Sequence, residues 1–145
     1  MRFADVEARL VEGMTVLMRS PDRERGWIGG GGSSIWRMVQ DDMSNDPEAD
    51  DRPIITRAFT RQQQDRAAEA MEWVVAWVPS GTTRRALGLA LVSQVLGDGG
   101  RPDWPWIWQR MGGKAGGWTA EALRKRYSRA VMMICTSKNA RLSAE

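Results

Sequence analysis

The sequence predicts an all-α protein, a helical domain with a C-terminal helix-turn-helix. Apolar residues recur at three- and four-residue steps in several long segments, the period of one helix face. Glycine, proline and capping residues separate these segments, and no stretch alternates apolar and polar residues as a strand does. The length of 145 residues, 42% of them hydrophobic and 27% charged, fits a globular domain with one core. We divide the chain into N-terminal helices with glycine-rich and acidic loops (1–60), a helical core (61–136) and a frayed tail (137–145).

The first predicted helix covers residues 3–19 and ends at Ser20-Pro21. An amphipathic stripe of this kind either joins the core or mediates self-association, and the ordinary use of such stripes favours the core. The apolar positions of the stripe are Phe3, Val6, Leu10, Met14, Leu17 and Met18.

Residues 29–34 are four glycines followed by two serines, the composition of a flexible linker. We expect no phosphate-binding loop here, because the Lys-Ser/Thr pair that follows such a loop is absent. Ser33 or Ser34 is the predicted cap of a short helix that runs through residues 35–39. Trp27, which precedes the linker, is expected to be a packing residue.

Residues 41–51 contain six acidic side chains and no basic one, which indicates a solvated loop. A sharper interpretation is that this acidic strip repels DNA and orients a basic face elsewhere, or docks on a basic partner surface. The acids do not have the spacing of a calcium-binding loop, so no metal site is predicted.

Two further helices are predicted in the middle of the chain. The first covers residues 62–78, with Thr60 as a candidate cap. A Pro-Ser-Gly break follows, and the second helix starts at Thr82 or Thr83 and ends after Val95. We expect this pair to form the floor on which the C-terminal unit rests.

The C-terminal unit begins with a short helix over residues 104–111. Asp103 is able to cap its free N–H groups, and Pro105 lies in the first turn, where its missing N–H costs little. Two glycine pairs then end the helix and keep the connection open. Thr119 is the predicted cap of a longer helix that begins near Ala120.

This longer helix has a buried stripe and a cationic side. Between Arg101 and Arg129 the chain carries seven cations and two acids, a net charge of +5 against +3 for the whole chain. The positive charge is therefore localised. Arg84 and Arg85, at the start of the helix that begins at Thr82 or Thr83, are either additional phosphate contacts or merely solvated, as exposed arginines in a first turn more often are. The predicted buried stripe consists of Leu123, Tyr127, Ala130, Val131 and Ile134.

A short helix, a turn and a longer basic helix form a helix-turn-helix, whose second helix lies in the major groove of DNA. Arg124, Lys125 and Ser128 are then expected to face base edges. Thr119, at the start of the helix, belongs to the same predicted DNA-binding set. Contacts with phosphates, which give affinity and register, are expected from Arg110, Lys114, Arg126 and Arg129.

Two segments carry a resemblance to known proteins: 106–112, Trp-Ile-Trp-Gln-Arg-Met-Gly, and 118–127, Trp-Thr-Ala-Glu-Ala-Leu-Arg-Lys-Arg-Tyr. They resemble the C-terminal helix-turn-helix of sigma-factor region-four-like proteins. Residues 69–135 more closely resemble uncharacterised phage and prophage helix-turn-helix proteins of alphaproteobacterial type, a domain of unknown function. The chain departs from such units at residues 113–117, where a glycine-rich insertion replaces a tight turn with a single glycine.

The expected function is sequence-specific binding of double-stranded DNA by a phage or prophage regulator of transcription. Two alternatives stay open: a small terminase subunit that recognises DNA for packaging, and a helical protein-interaction module that binds host machinery. A regulator predicts a dimer on paired half-sites, and a terminase subunit predicts a ring, so both predict a homo-oligomer. The N-terminal half is a candidate surface for a protein partner.

The composition argues against several other classes of protein. The chain has no histidine, which excludes His-based acid–base chemistry and the common zinc sites. Cys135 is the only cysteine and is expected in the core. No apolar run approaches a membrane span and the acidic N-terminus is not that of a signal peptide, so a cytoplasmic protein in a bacterium or phage-infected cell is expected. No nucleophile–base pair or paired carboxylates are evident, so neither an enzyme nor a cofactor is expected.

Overall fold

The computed structural model describes residues 1–21, 32–44, 56–97 and 100–144. Within these ranges every regular element is a helix, which confirms the all-α class. No helix in the described ranges is long and apolar enough to span a membrane. The helices are α1 (Phe3–Arg19), α2 (Gly32–Ser44), α3 (Arg61–Trp77), α4 (Thr82–Leu96), α5 (Trp104–Arg110), α6 (Gly113–Gly116) and α7 (Ala120–Ala144).

Helix α1 lies in the core along the stripe that its sequence predicts. Val6, Leu10 and Met14 are fully buried, so the stripe packs within the chain. Helices α1 and α3 approach closely at Gly13, where a Cβ atom would lie 2.9 Å from the Met71 Cε atom. Core burial is therefore the correct interpretation of this stripe, and self-association through it is wrong.

Helix α2 starts earlier than the sequence indicates. It begins at Gly32, so Ser33 and Ser34 lie inside the helix and the prediction that either caps it is wrong. The flexible-linker prediction is likewise wrong for residues 32–34, while residues 29–31 and Trp27 lie outside the described residues. The helix packs against α3 and α4 through the side that carries Ile35.

The acidic strip is not a loop at its start. Residues 41–44 continue α2, and the Asp42 side chain is only 7% exposed. Arg85 of α4 reaches it, with 2.8 Å between Arg85 Nη2 and Asp42 Oδ1. A buried carboxylate needs such a cation, because an unpaired charge in the interior is strongly destabilising. The loop prediction is therefore wrong for residues 41–44, and residues 45–51 lie outside the described residues.

Helix α3 is capped at both ends by side chains. At its start, the Thr60 hydroxyl accepts a hydrogen bond from Gln63 N at 3.2 Å, and the Gln63 side chain accepts one from Thr60 N at 2.9 Å, which confirms the predicted cap. At its end, Arg84 donates to the Val75 and Val78 carbonyls at 3.3 and 2.7 Å. Arg84 thus satisfies carbonyls that the helix leaves open.

Helix α4 is the centre of the molecule. Every residue from Ala86 to Val95 is buried. The helix packs against α1, α2, α5 and α7, which together cover all its sides. Two polar members of this stretch find partners inside: Ser93 donates to the Ala90 carbonyl at 2.8 Å, and Gln94 donates to the Tyr127 hydroxyl at 3.2 Å.

Helix α7 is longer than the sequence indicates. It continues to Ala144, so the prediction of a frayed tail is wrong for residues 137–144. Its second half packs against α1 and α3: the Lys138 ammonium lies 5.2 Å from the centre of the Trp73 ring. Cys135 is buried, as predicted, and its thiol donates to the Met1 carbonyl at 3.1 Å.

Replacement of Leu89 by Ala tests the burial of α4 on every side. Leu89 lies in the middle of α4 and is fully buried. We expect the substitution to lower the free energy of unfolding by about 2–5 kcal/mol, measured by urea denaturation. Leu142→Ala is the matched control, because Leu142 is 49% exposed and should change stability by less than about 0.5 kcal/mol. Equal small effects of both substitutions would contradict the central position of α4.

Candidate nucleic-acid interface

Helix α5 starts at the capping residues that its sequence predicts. The Asp103 carboxylate accepts a hydrogen bond from Trp106 N at 3.2 Å, and Pro105 lies in the first turn. Ile107 is fully buried and holds the helix in the core. The helix packs against both α4 and α7, so its orientation is fixed by two neighbours.

The connection between α5 and α7 is a compact turn where the sequence suggests an open one. Gly112 takes a left-handed conformation with φ +105°, which glycine adopts without steric cost. The next four residues form the single turn α6, and the chain reverses again at Gly117, with φ +75°. Gly116 allows this close folding, since a Cβ atom there would lie 2.3 Å from the Met111 carbonyl oxygen. Lys114 is exposed on this turn.

The start of α7 is fixed by a cap and by α5. The Thr119 hydroxyl accepts a hydrogen bond from Ala122 N at 3.0 Å, as its position predicts. The Trp108 indole donates to the Trp118 carbonyl at 2.5 Å, which ties the residue before the cap to α5. The first turn of α7 is therefore held in a defined position relative to the short helix.

The two sides of α7 divide as the sequence predicts. The predicted stripe of five residues is buried, together with Cys135. On the opposite side, four of the candidate DNA-binding residues are exposed. These are Arg124, Lys125, Ser128 and Arg129.

Arg124 shares this exposed side with one acid. Its Nη2 atom donates to both oxygens of Glu121, at 2.9 and 2.8 Å. This hydrogen bond lowers the pKa of the Glu121 carboxyl, which therefore stays ionised at neutral pH. Both side chains are more than half exposed, and such surface pairs contribute about 0–1 kcal/mol. The pair orients Arg124 but does not prevent it from exchanging Glu121 for another anion.

Two predicted phosphate contacts are already engaged within the chain. Arg110 donates to the Met43 carbonyl at 3.2 Å, and its guanidinium lies 4.8 Å from the centre of the Trp106 ring. The Trp–Arg spacing of four residues on a helix is a signal that sequence reasoning missed. A phosphate contact by Arg110 remains a prediction, but the side chain also joins α5 to the end of α2.

Arg126 is engaged in the same way. It donates to the Thr83 hydroxyl at 3.0 Å, and its guanidinium lies 4.6 Å from the centre of the Trp118 ring. Thr83 is at the start of α4 and is distant in sequence, so no local pattern indicates this contact. The side chain is partly buried, unlike that of Lys125 beside it. A contact between Arg126 and DNA remains a prediction.

Tyr127 lies beneath the exposed side and joins three helices. Its hydroxyl donates to a carboxylate oxygen of Glu7 in α1 and accepts from Gln94 in α4. The ring packs edge-on against Trp104, with centroids 5.6 Å apart. Burial raises the pKa of the Tyr127 hydroxyl, and the hydrogen bond to Glu7 raises it further. A tyrosine on an apolar stripe needs a buried polar partner, but the sequence alone does not identify Glu7.

The ionisation of Tyr127 provides a direct test of this arrangement. Tyr127 is the only tyrosine, so its ultraviolet titration is specific for this site. We expect a midpoint well above the value of about 10 for a free tyrosine, and a return to about 10 in concentrated urea. A raised folded pKa contributes stability below pH about 10 that is lost as the pH rises further. The free energy of unfolding should therefore fall in strong alkali, and it should fall less for Tyr127→Phe, which has no hydroxyl to ionise. A titration midpoint near 10 for Tyr127 in the folded protein would contradict the buried network.

No family model, curated protein or solved structure matches this chain. The resemblance to sigma region-four-like and phage helix-turn-helix proteins therefore stays a prediction. Within the ranges that the structure describes, no group of three acidic or cysteine side chains is placed to hold a metal ion.

Proposed function

We propose that this chain is a sequence-specific double-stranded DNA-binding protein of the kind that regulates transcription. Helices α5 and α7, joined by the α6 turn, act as a helix-turn-helix, and the first four turns of α7 enter the major groove. The observation that carries this proposal is the exposed side of α7. It presents Arg124, Lys125, Ser128 and Arg129 to solvent, opposite the buried stripe.

The chemistry of these side chains suits a groove of B-form DNA. The major groove is about 12 Å wide and admits a helix. Arg124 and Lys125 donate to guanine O6 and N7, and Ser128 is short enough to let the helix approach the bases. Arg129, at one edge of the exposed side of α7, and Lys114, on the α6 turn, contact phosphates and set the register.

The packing supports the proposal because recognition requires a rigidly held helix. Helix α7 rests on α4 and α5, and the Trp108–Trp118 hydrogen bond fixes its first turn. Arg126 and Arg110 add contacts to α4 and α2 from the same region. Side chains on such a supported helix keep their spacing when they meet base edges.

Recovery of sheared DNA from the source genome by the purified protein, at low and near-physiological salt, tests the function. Sequencing of the retained fragments should reveal a shared sequence that survives the higher salt. Clustering of that sequence upstream of genes would support regulation of transcription, whereas clustering at a single packaging start would favour a terminase subunit. Retention that is uniform along the genome, or lost at the higher salt, would contradict sequence-specific binding.

Arg124→Ala should reduce affinity for the recovered sequence by about 1–3 kcal/mol and relax the preference at one base pair. The reason is the loss of a bidentate donor to a base edge. Fluorescence anisotropy with duplexes that vary one base pair at a time measures both effects. Arg61→Ala is the control, because Arg61 is an exposed cation on α3 that pairs only weakly with Asp65 at 3.3 Å. Equal weakening on every duplex would exclude a base-reading role for Arg124.

Lys114→Ala should weaken binding to all duplexes alike. Lys114 is exposed on the α6 turn and is expected to neutralise a phosphate. Loss of one phosphate contact lowers the slope of log affinity against log salt concentration by about one unit. Titrations at several salt concentrations measure the slope, again with Arg61→Ala as the control. An unchanged slope would remove Lys114 from the set of phosphate contacts.

A further inference from the structure

Between Ala120 and Thr136, the exposed side of α7 carries one large apolar side chain, Met132. Met132 is 47% exposed, and the described residues include only one other exposed large hydrophobic, Leu142. The remaining apolar residues of α7 from Leu123 to Ile134 are buried or partly buried. About half of the Met132 surface is therefore available to a partner.

Met132 lies in line with the polar residues that we assign to base recognition. It follows Ser128 by four residues and Lys125 by seven, so these side chains share one side of the helix. Seven residues advance about 10 Å along a helix axis, so Met132 and Lys125 would reach different base pairs when the helix lies in the groove.

A thioether is unsuited to the polar groups of DNA. Methionine has no hydrogen-bond donor, so it cannot bind a phosphate or replace the polar contacts of a base edge. The apolar feature of the major-groove edges is the C5-methyl group of thymine. The flexible, polarisable methionine side chain suits contact with such a group.

We propose that Met132 is a specificity-determining residue that contacts the C5-methyl group of a thymine, an inference that rests on the proposed DNA binding. Two cations beside Met132 favour DNA as the partner of this surface. Lys125 and Arg129 are exposed on the same side, and they draw this surface of α7 toward a polyanion. Contact with a second copy of the chain is the competing occupant, and the test distinguishes the two.

Deoxyuridine, which differs from thymidine only by the missing methyl group, is the probe. In the duplex recovered from the genome, each thymine is replaced in turn and affinity is measured by fluorescence anisotropy. The wild-type protein should lose affinity about fourfold at one particular thymine, the factor that burial of one methyl-sized group supplies. Met132→Ala should bind the thymine and deoxyuridine duplexes equally, whereas Leu142→Ala should keep the wild-type difference.

Other outcomes overturn the inference in distinguishable ways. Specific binding that is insensitive to every deoxyuridine, or a difference that Met132→Ala retains, overturns the role of Met132 and leaves the proposed function intact. A wild-type oligomer in analytical ultracentrifugation that dissociates in Met132→Ala, together with an unchanged deoxyuridine effect, assigns the residue to self-association. Failure of the wild-type protein to retain any DNA overturns both proposals.

Discussion

The burial of α4 on every side sets the positions of the other helices. From Ala86 to Val95 no residue faces solvent, so α1, α2, α5 and α7 must each supply one wall around it. Gly88 shows how close the walls lie, because a Cβ atom there would be 2.8 Å from the Met38 Cε atom of α2. Helices α5 and α7 are therefore positioned by the same core. The exposed side of α7 faces solvent because its opposite side packs against that core.

Three arginines hold the helices together through hydrogen bonds and an ion pair, in addition to contributing positive charge. Arg84 caps the end of α3, Arg85 neutralises the buried Asp42, and Arg126 joins α7 to the start of α4. Each guanidinium satisfies polar groups that the packing of helices would otherwise leave open. Of the seven cations between Arg101 and Arg129, five are exposed and two are partly buried. The exposed ones are Arg101, Lys114, Arg124, Lys125 and Arg129.

Local patterns predicted the helices well, because caps and apolar periodicity act over a few residues. Thr60, Asp103 and Thr119 cap helices as their positions indicate. Several of the errors concern contacts between distant segments. In sequence, Asp42 has the pattern of a solvated acid, but the fold places Arg85 beside it. Residues 137–144 have the pattern of a tail, but they continue α7, where Lys138 lies over the Trp73 ring and Asn139 donates to the Met1 carbonyl. The exposed candidates on α7 were predictable from the helical period, whereas the intramolecular partners of Arg126 were not.

The central claim is that DNA binds along the exposed side of α7, and mapping of amide chemical shifts tests it most directly. Nitrogen–proton correlation spectra of the protein are compared with and without the duplex recovered from the genome. We predict that the largest changes fall on the α6 turn and on the first four turns of α7, from Thr119 to Met132. Changes centred on α1 or α3, with α7 unaffected, would contradict the account even if DNA binding itself were tight.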